Sequence, residues 1–156
     1  MTNFRKNGGF MTVEILVGIS IIVVSMLAAM FVTQKAISIS RQSLHIYQTS
    51  FLLEEGAEVV RVVRDNAWSN ISNGTYYPTF DSVNKIWTLS STSSTIGIFT
   101  RTVNITNVNR DDTSKIVSLG GTPDSGTKLV TVTVSWPEGG ATVVKTLQFY
   151  ITDIFS

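Results

Sequence analysis

The sequence predicts an α+β fold in which a long N-terminal α-helix packs on a small antiparallel β-sheet. From Phe10 to Asp65 the chain has apolar side chains at helical spacing and contains no proline, a pattern typical of one extended helix. Beyond residue 70 the composition changes to Ser, Thr, Asn, Gly and β-branched residues, which favours strands and turns. A sheet that is apolar on one face needs a cover, and the preceding helix is the nearest candidate.

The composition narrows the classes of function. A chain of 156 residues suits one domain, or a small domain with an appendage. Its net charge of +1 gives no electrostatic footprint for nucleic acid, so no nucleic-acid partner is expected. There is no cysteine, and the single histidine, His45, has no acidic or histidine neighbour one helical turn away. We expect a structural or surface role for His45, and no catalytic residue, metal or cofactor in the chain.

An apolar segment follows a short basic N-terminus. Residues 15–33 carry no charge and are mainly Ile, Val, Leu, Met and Ala. At about 1.5 Å per residue they reach roughly 28 Å, close to the thickness of the hydrocarbon core of a bilayer. Arg5 and Lys6 precede this segment, which favours a cytoplasmic N-terminus, although Lys35 and Arg41 on the far side reduce the charge asymmetry. The prediction is a single-pass protein of the cytoplasmic membrane, with its C-terminal domain outside the cytoplasm.

The small residues next to this span lie on the opposite side of it from those of a secretory signal. In such a signal the small-residue cleavage site follows the apolar region, whereas here Gly8 and Gly9 precede it. Cleavage after Gly9 would discard the basic leader and keep the apolar helix in the mature protein. The segment GGFMTVE, residues 8–14, resembles the N-terminus of bacterial type IV prepilins and pseudopilins. In that family the leader ends in Gly, Phe follows, and Glu is fifth in the mature chain.

The resemblance implies a route of processing and assembly. Residues 1–9 correspond to the leader, and a membrane prepilin peptidase cleaves between Gly9 and Phe10 and methylates the new Phe10 amine. Other pilin subunits and an inner-membrane assembly platform are the implied partners, and Glu14 pairs with the Phe10 amine of a neighbouring subunit. "MTVE" departs from the commoner "TLIE" or "TLVE" at none of the defining positions. The motif similarity covers about residues 5–35, and the disulfide common in pilins is absent.

Glu14 is compatible with membrane insertion. A carboxylate at the bilayer centre costs about 2.5 to 3.5 kcal/mol, and less near an interface, whereas each Leu, Ile, Val or Phe contributes roughly 0.3 to 0.6 kcal/mol in favour of insertion. Only four residues separate Glu14 from the predicted mature N-terminus, so it can stay near the cytoplasmic headgroups. The alternative interpretation is an interfacial acid, without a role, on an ordinary anchor.

The helical pattern continues past the span. We predict residues 10–34 as the membrane and filament-core helix, and residues 35–68 as its extracytoplasmic half. Gly56 predicts a bend or a close contact, or alternatively a break between two helices. Glu54, Glu58 and Arg61 are expected to form a charged face exposed to solvent, and Trp68 is expected to anchor the end of the helix by packing.

Residues 69–156 are predicted to form a β-rich globular domain. Residues 128–152 form a hairpin that turns at Pro137, Gly139 and Gly140, and a shorter strand is expected at residues 85–89. Two strands, within residues 96–108 and 128–136, alternate apolar and polar side chains, and their inward residues are Phe99, Val103, Ile105, Val130, Val132, Val134 and Trp136.

Two connecting segments, residues 109–115 and 119–128, are predicted as solvent-facing loops. They contain Asp111, Asp112 and Asp124, which lack the ligand spacing of a calcium loop. No metal site is therefore assigned.

Two classes of function remain. The resemblance implies a structural subunit, a minor pilin or pseudopilin, of a type IV pilus or a type II secretion-like filament at the cell surface or in the periplasm. The alternative is a single-pass membrane protein that displays a β-rich binding or adhesin module without polymerising. The mature N-terminus discriminates them, because methylated Phe10 supports the filament subunit and intact Met1 supports the static anchor.

Overall fold

One long helix leads into an antiparallel sheet. In the computed structural model, which describes the backbone of residues 8–155 and the side chains of residues 11–155, α1 spans Gly8–Asn66 and a 3₁₀ turn spans Trp68–Asn70. The strands that follow are β1 (Gly74–Asp81), β2 (Ile86–Ser90), β3 (Thr95–Ile96), β4 (Phe99–Arg110), β5 (Ile116–Val117), β6 (Thr122–Glu138) and β7 (Ala141–Thr152). The predicted α+β class is confirmed.

The chain divides into two compact units, Met1–Leu44 and His45–Ser156. The described part of the first unit is α1 up to Leu44. The second unit contains the remainder of α1 and the whole sheet, in which the strand order is β2-β1-β4-β6-β7 and the short strands β3 and β5 both pair with β4. The pairings are antiparallel, and β2 and β7 form the two edges.

The core lies between one face of the sheet and the second part of α1. Val59 and Val60 on the helix and Val103 and Val132 on the sheet are almost fully buried, and they belong to one apolar cluster. Trp68 packs against this cluster from the 3₁₀ turn, as predicted. The alternation predicted for β4 and β6 is also confirmed, because every residue assigned to the inner face is buried: Phe99, Val103, Ile105, Val130, Val132, Val134 and Trp136.

Gly56 marks the closest approach of α1 to the sheet. A Cβ atom at this position would lie 2.7 Å from Cγ1 of Val132 and 3.3 Å from Cδ of Arg101, distances too short for unstrained packing. The helix runs without interruption through Gly56. The predicted close contact is therefore confirmed, and the alternative of two helices with a break is wrong.

β1 is a strand that the sequence pattern did not predict. This strand contains Pro78, which has no N–H to contribute to a ladder and argues against a strand. In the structure β1 pairs with β4 only over residues 74–76 and with β2 only over residues 77–81. Pro78 thus lies where β1 has a paired neighbour on one side only, a position that tolerates proline.

The loop predicted at residues 119–128 is partly wrong. β6 begins at Thr122, and its first residues pair with the end of β4. The pairing then jumps from Val108–Asp124 to Asn107–Lys128, so residues 125–127 have no partner in β4. The polar composition of this segment hides a strand that is interrupted by a bulge.

Candidate membrane and assembly site

The first part of α1 has the properties of a membrane span. Among the described residues, α1 is the one helix that is both long enough and apolar enough to cross a bilayer. Its most apolar window has a mean hydropathy of 2.8, and none of that window is buried. The apolar side chains of Ile15, Leu16 and Phe31, for example, are 60%, 67% and 69% exposed. Such a continuous uncovered apolar surface requires lipid or another helix as its surroundings.

Three hydroxyl side chains within this segment are satisfied by the helix itself. The hydroxyls of Ser20, Ser25 and Thr33 each donate a hydrogen bond to the carbonyl oxygen four residues earlier, at 2.7, 2.7 and 2.9 Å. No hydroxyl of these three residues is therefore left to be solvated in an apolar environment, where an unsatisfied polar group is costly.

The predicted processing and pairing residues lie at the start of α1. The backbone of Gly9 and Phe10 is helical, whereas the side chain of Phe10 and the leader residues 1–7 lie outside the described part of the chain. Glu14 is exposed and forms no ion pair with any side chain that the structure describes. The cleavage site, the methylation site and the pairing of Glu14 therefore stay predictions.

A buried arginine joins α1 to the sheet, and the sequence analysis did not assign it. Arg101 lies on the inner face of β4 and is 2% exposed. Its Nη1 donates to Oε2 of Glu55 at 2.6 Å and to the carbonyl oxygen of Leu52 at 3.4 Å. Its guanidinium carbon lies 5.8 Å from the centre of the Trp87 ring. The period-two alternation of β4 places residue 101 inside, but charge argues against burial unless a partner is known.

A second polar contact joins α1 to the β6–β7 hairpin. Nδ1 of His45 lies 3.6 Å from Oε1 of Glu138, while Oε2 of Glu138 accepts a hydrogen bond from Nε1 of Trp136 at 2.7 Å. The ring of His45 also meets Phe99 edge to face, with the ring centres 6.0 Å apart. This environment is aromatic with one carboxylate, and it supports the structural role expected for His45.

Two of the three loop aspartates, Asp111 and Asp124, serve local structure. Oδ1 of Asp111 accepts hydrogen bonds from the hydroxyl and N–H of Thr113 and from the N–H of Lys115, and the hydroxyl bond is the main cause of the lowered pKa of Asp111. Oδ2 of Asp124 accepts a hydrogen bond from Nε of Arg110 at 2.6 Å, which holds the pKa of Asp124 below its ordinary value. Among the described residues no group of three His, Asp or Glu side chains is arranged to hold a metal ion.

Comparison with known proteins gives no match to a family model, a curated protein or a solved structure. The function is therefore inferred from the residues and their geometry.

Proposed function

We propose that this chain is a structural subunit of a type IV pilus or of a type II secretion-like filament, processed by a prepilin peptidase and assembled by helix packing. The observation that carries the proposal is the spacing of Gly9, Phe10 and Glu14 immediately before the uncovered apolar part of α1. A cleavage site ahead of an apolar helix produces a mature protein that keeps the helix, as a filament subunit requires and a secreted protein does not.

The physical basis of assembly in this proposal is the exchange of lipid for protein around the first part of α1. Its exposed apolar side chains are solvated by acyl chains before assembly and by the corresponding helices of neighbouring subunits afterwards. Lipid tails are as apolar as the side chains, so the gain comes from close packing and from polar contacts rather than from removal of water. One intersubunit ion pair in such a bundle, between Glu14 and the amine of Phe10, has a large effect on register.

The second unit has a different task in this proposal. It is held together by its own apolar core and by the contact of Arg101 with Glu55, and it forms the outer surface of the filament. The absence of a disulfide and the small sheet favour a minor pilin or pseudopilin over an abundant major subunit. The proposal assigns no catalytic role to any residue.

The test is the chemical state of the N-terminus in the native membrane. Mass spectrometry of the chain purified from membranes, and from filaments sheared off the cell, is expected to show a mature protein that begins with methylated Phe10. The matched variant Gly9→Val should accumulate as the longer precursor, because the family's peptidase has no room for a side chain at that position. An intact Met1 in the wild-type chain, or normal processing of Gly9→Val, would instead support the static membrane anchor.

A further inference from the structure

The sheet face opposite α1 is polar but carries no charge over three adjacent strands. Because directly paired residues share a face, β4, β6 and β7 present cross-strand rows on this side. The central rows are Thr102, Thr133, Thr146 and Asn104, Thr131, Gln148. The outward positions within residues 100–106, 129–135 and 144–150 hold only Thr, Ser, Asn, Gln, Leu, Val and Tyr. We call this surface the hydroxyl face.

The hydroxyl face differs from the other exposed surface of the same unit. On the solvent side of α1, Glu54, Glu58 and Arg61 are exposed, and Glu58 and Arg61 form an ion pair. A surface that only keeps a domain in solution is typically about 25–35% charged. The absence of charge from the hydroxyl face therefore indicates a surface suited to an uncharged ligand.

The hydroxyl face ends at a cavity of about 510 Å³. Tyr150, which is 52% exposed, and its cross-strand partner Leu129 both line the cavity. Asn109 and Ser118 contribute an amide and a hydroxyl to its lining, and no Asp, Glu, Lys, Arg or His lines it. The combination of an exposed aromatic ring with neutral hydrogen-bonding groups is typical of a small-molecule site.

The wall of the cavity is fixed by specific contacts. Nδ2 of Asn109 donates a hydrogen bond to the carbonyl oxygen of Gly120 at 2.8 Å. At Gly121, φ is +75° and a Cβ atom would lie 2.5 Å from the carbonyl oxygen of Arg110, so only glycine allows the loop to approach β4 this closely. The bulge in β6 at residues 125–127 interrupts the ladder near this end of the face, and bulges of this kind are frequent beside binding sites.

We propose that the cavity and the adjoining hydroxyl face bind an uncharged carbohydrate. Sugar hydroxyls both donate and accept hydrogen bonds, as do the hydroxyls and amides of Thr, Asn and Gln. The C–H face of a pyranose ring carries partial positive charge that matches the negative face of an aromatic ring such as Tyr150. An anionic ligand would need a free Arg or Lys. Neither lines the cavity, and Nζ of the neighbouring Lys128 already donates to Oδ1 of Asn73 and Asn107. A protein partner would need more than one aromatic or Arg anchor.

This ligand site is independent of polymerisation, since it uses residues of β4, β5, β6 and β7 and the loop before β6. Its failure and the failure of the filament proposal are therefore distinguishable. Loss of sugar binding does not affect the N-terminal processing described above, and an unprocessed N-terminus does not affect sugar binding.

The experiment is a titration of the full chain in phosphatidylcholine nanodiscs, without glycolipid or sugar-based detergent. The probes are neutral oligosaccharides built from mannose, galactose and N-acetylglucosamine, with sialyllactose as the acidic comparator, and binding is followed by saturation-transfer NMR and calorimetry. At least one neutral probe is expected to bind with a Kd on the order of 1 mM or tighter, and sialyllactose at least tenfold more weakly than that probe.

Three variants locate the binding. Tyr150→Ala should weaken the affinity at least tenfold, whereas Tyr150→Phe, which keeps the ring, should stay within about threefold of the wild type. Tyr47→Ala, which removes an exposed tyrosine from α1, outside the hydroxyl face and the cavity, is the matched control and should leave the affinity unchanged. The proposal is overturned if no neutral probe binds, if Tyr150→Ala binds like the wild type, or if all probes bind equally. Circular dichroism of each variant verifies that the sheet is intact.

Discussion

At the residue scale, α1 packs closely on the sheet because Gly56 has no side chain. Replacing Gly56 by Ala puts a methyl group 2.7 Å from Cγ1 of Val132. The clash should destabilise the second unit by about 1–3 kcal/mol, partly offset by a gain in helix propensity of up to about 1 kcal/mol. Thermal unfolding of the full chain, followed by tryptophan fluorescence, measures the net loss.

The matched control is the same substitution at Gly18, in the same helix. No atom lies within 4 Å of the position that a Cβ would occupy there, so Gly18→Ala should leave the unfolding of the sheet unchanged. Equal melting of Gly56→Ala and the wild type would show that Val132 moves aside without cost, and that the close approach is not required.

The ion pair between Arg101 and Glu55 predicts an asymmetric response to substitution. The side chain of Arg101 is 2% exposed and that of Glu55 is 41% exposed, so loss of the acid leaves a buried charge whereas loss of the base leaves an acid that water can reach. Glu55→Ala should therefore cost about 1–3 kcal/mol. Arg101→Met, which fills similar space without charge, should cost less, because buried pairs can often be replaced by apolar side chains.

Chemical denaturation of the two single variants and of the double variant measures this asymmetry. Glu58→Ala is the control, since it removes an exposed acid from the same helix and such surface pairs contribute little. The interpretation fails if Arg101→Met is the more damaging change.

At the element scale, a contact between charged side chains links β4 to β6 beyond the bulge. Arg110 at the end of β4 donates to Asp124 on β6, and its Nη2 also donates to Oγ1 of Thr127. The Arg110 hydrogen bond is the main cause of the lowered pKa of Asp124, whose ordinary value is 3.8. A lowered pKa in the folded state means that the unfolded chain takes up the proton first, so this contact stabilises the fold above that ordinary pKa and the contribution disappears as the pH falls through the lower folded value.

Asp124→Asn is therefore expected to lower the melting temperature at pH 7, and the difference should shrink below the ordinary pKa of 3.8 and vanish below the lowered folded pKa. Melting curves of the variant and the wild type between pH 2 and 7 test this, and the gap between them should close only at the acidic end. The absence of a gap at every pH would show that Asp124 acts through its hydrogen bond to the N–H of Gly126, which the asparagine oxygen preserves, and not through its charge.

The elements that the sequence predicted correctly are those whose pattern is local. β4 and the second half of β6 have alternating side chains, and the alternation of Val130, Val132 and Val134 indicated both the strand and its buried face. β7 was predicted from the proline and glycines of the turn before it. β1 could not be predicted in this way. Pro78 is tolerated in the strand because β1 is paired only with β2 at that point, and this pairing is known only once the sheet is assembled. The start of β6 was missed for the same reason, since its pairing with β4 resumes across a bulge.

At the scale of the whole molecule, the predicted and the unpredicted sites differ in how far apart their residues lie in the sequence. Gly9, Phe10 and Glu14 lie within one short segment, so their order and spacing were visible without a structure. Arg101 contacts Glu55 across 46 residues, and the cavity beside Tyr150 gathers residues from β4, β5, β6 and β7. Sites of the second kind depend on the register of the sheet, which the sequence pattern limits but does not determine.

If the chain is the proposed filament subunit, membrane insertion and filament assembly make opposite demands on the side chain of Glu14. In lipid the carboxylate opposes insertion, so Glu14→Val should insert at least as well as the wild type. In the proposed filament the same change leaves the Phe10 amine of a neighbouring subunit without its partner in an apolar bundle. Removing one member of a buried ion pair costs about 3–5 kcal/mol, so assembly should fail while processing and insertion continue.

Fractionation of cells that carry Glu14→Val separates these two steps, by comparing cleaved subunit in the membrane with subunit in sheared filaments. Glu54→Ala, which removes an exposed acid from the same helix beyond the span, is the matched control and should assemble normally. Because insertion and assembly respond in opposite directions, a general loss of folding cannot produce the expected result of full membrane levels with empty filaments. Wild-type amounts of Glu14→Val in filaments would remove Glu14 from the assembly mechanism and leave the acid as a feature of an ordinary anchor.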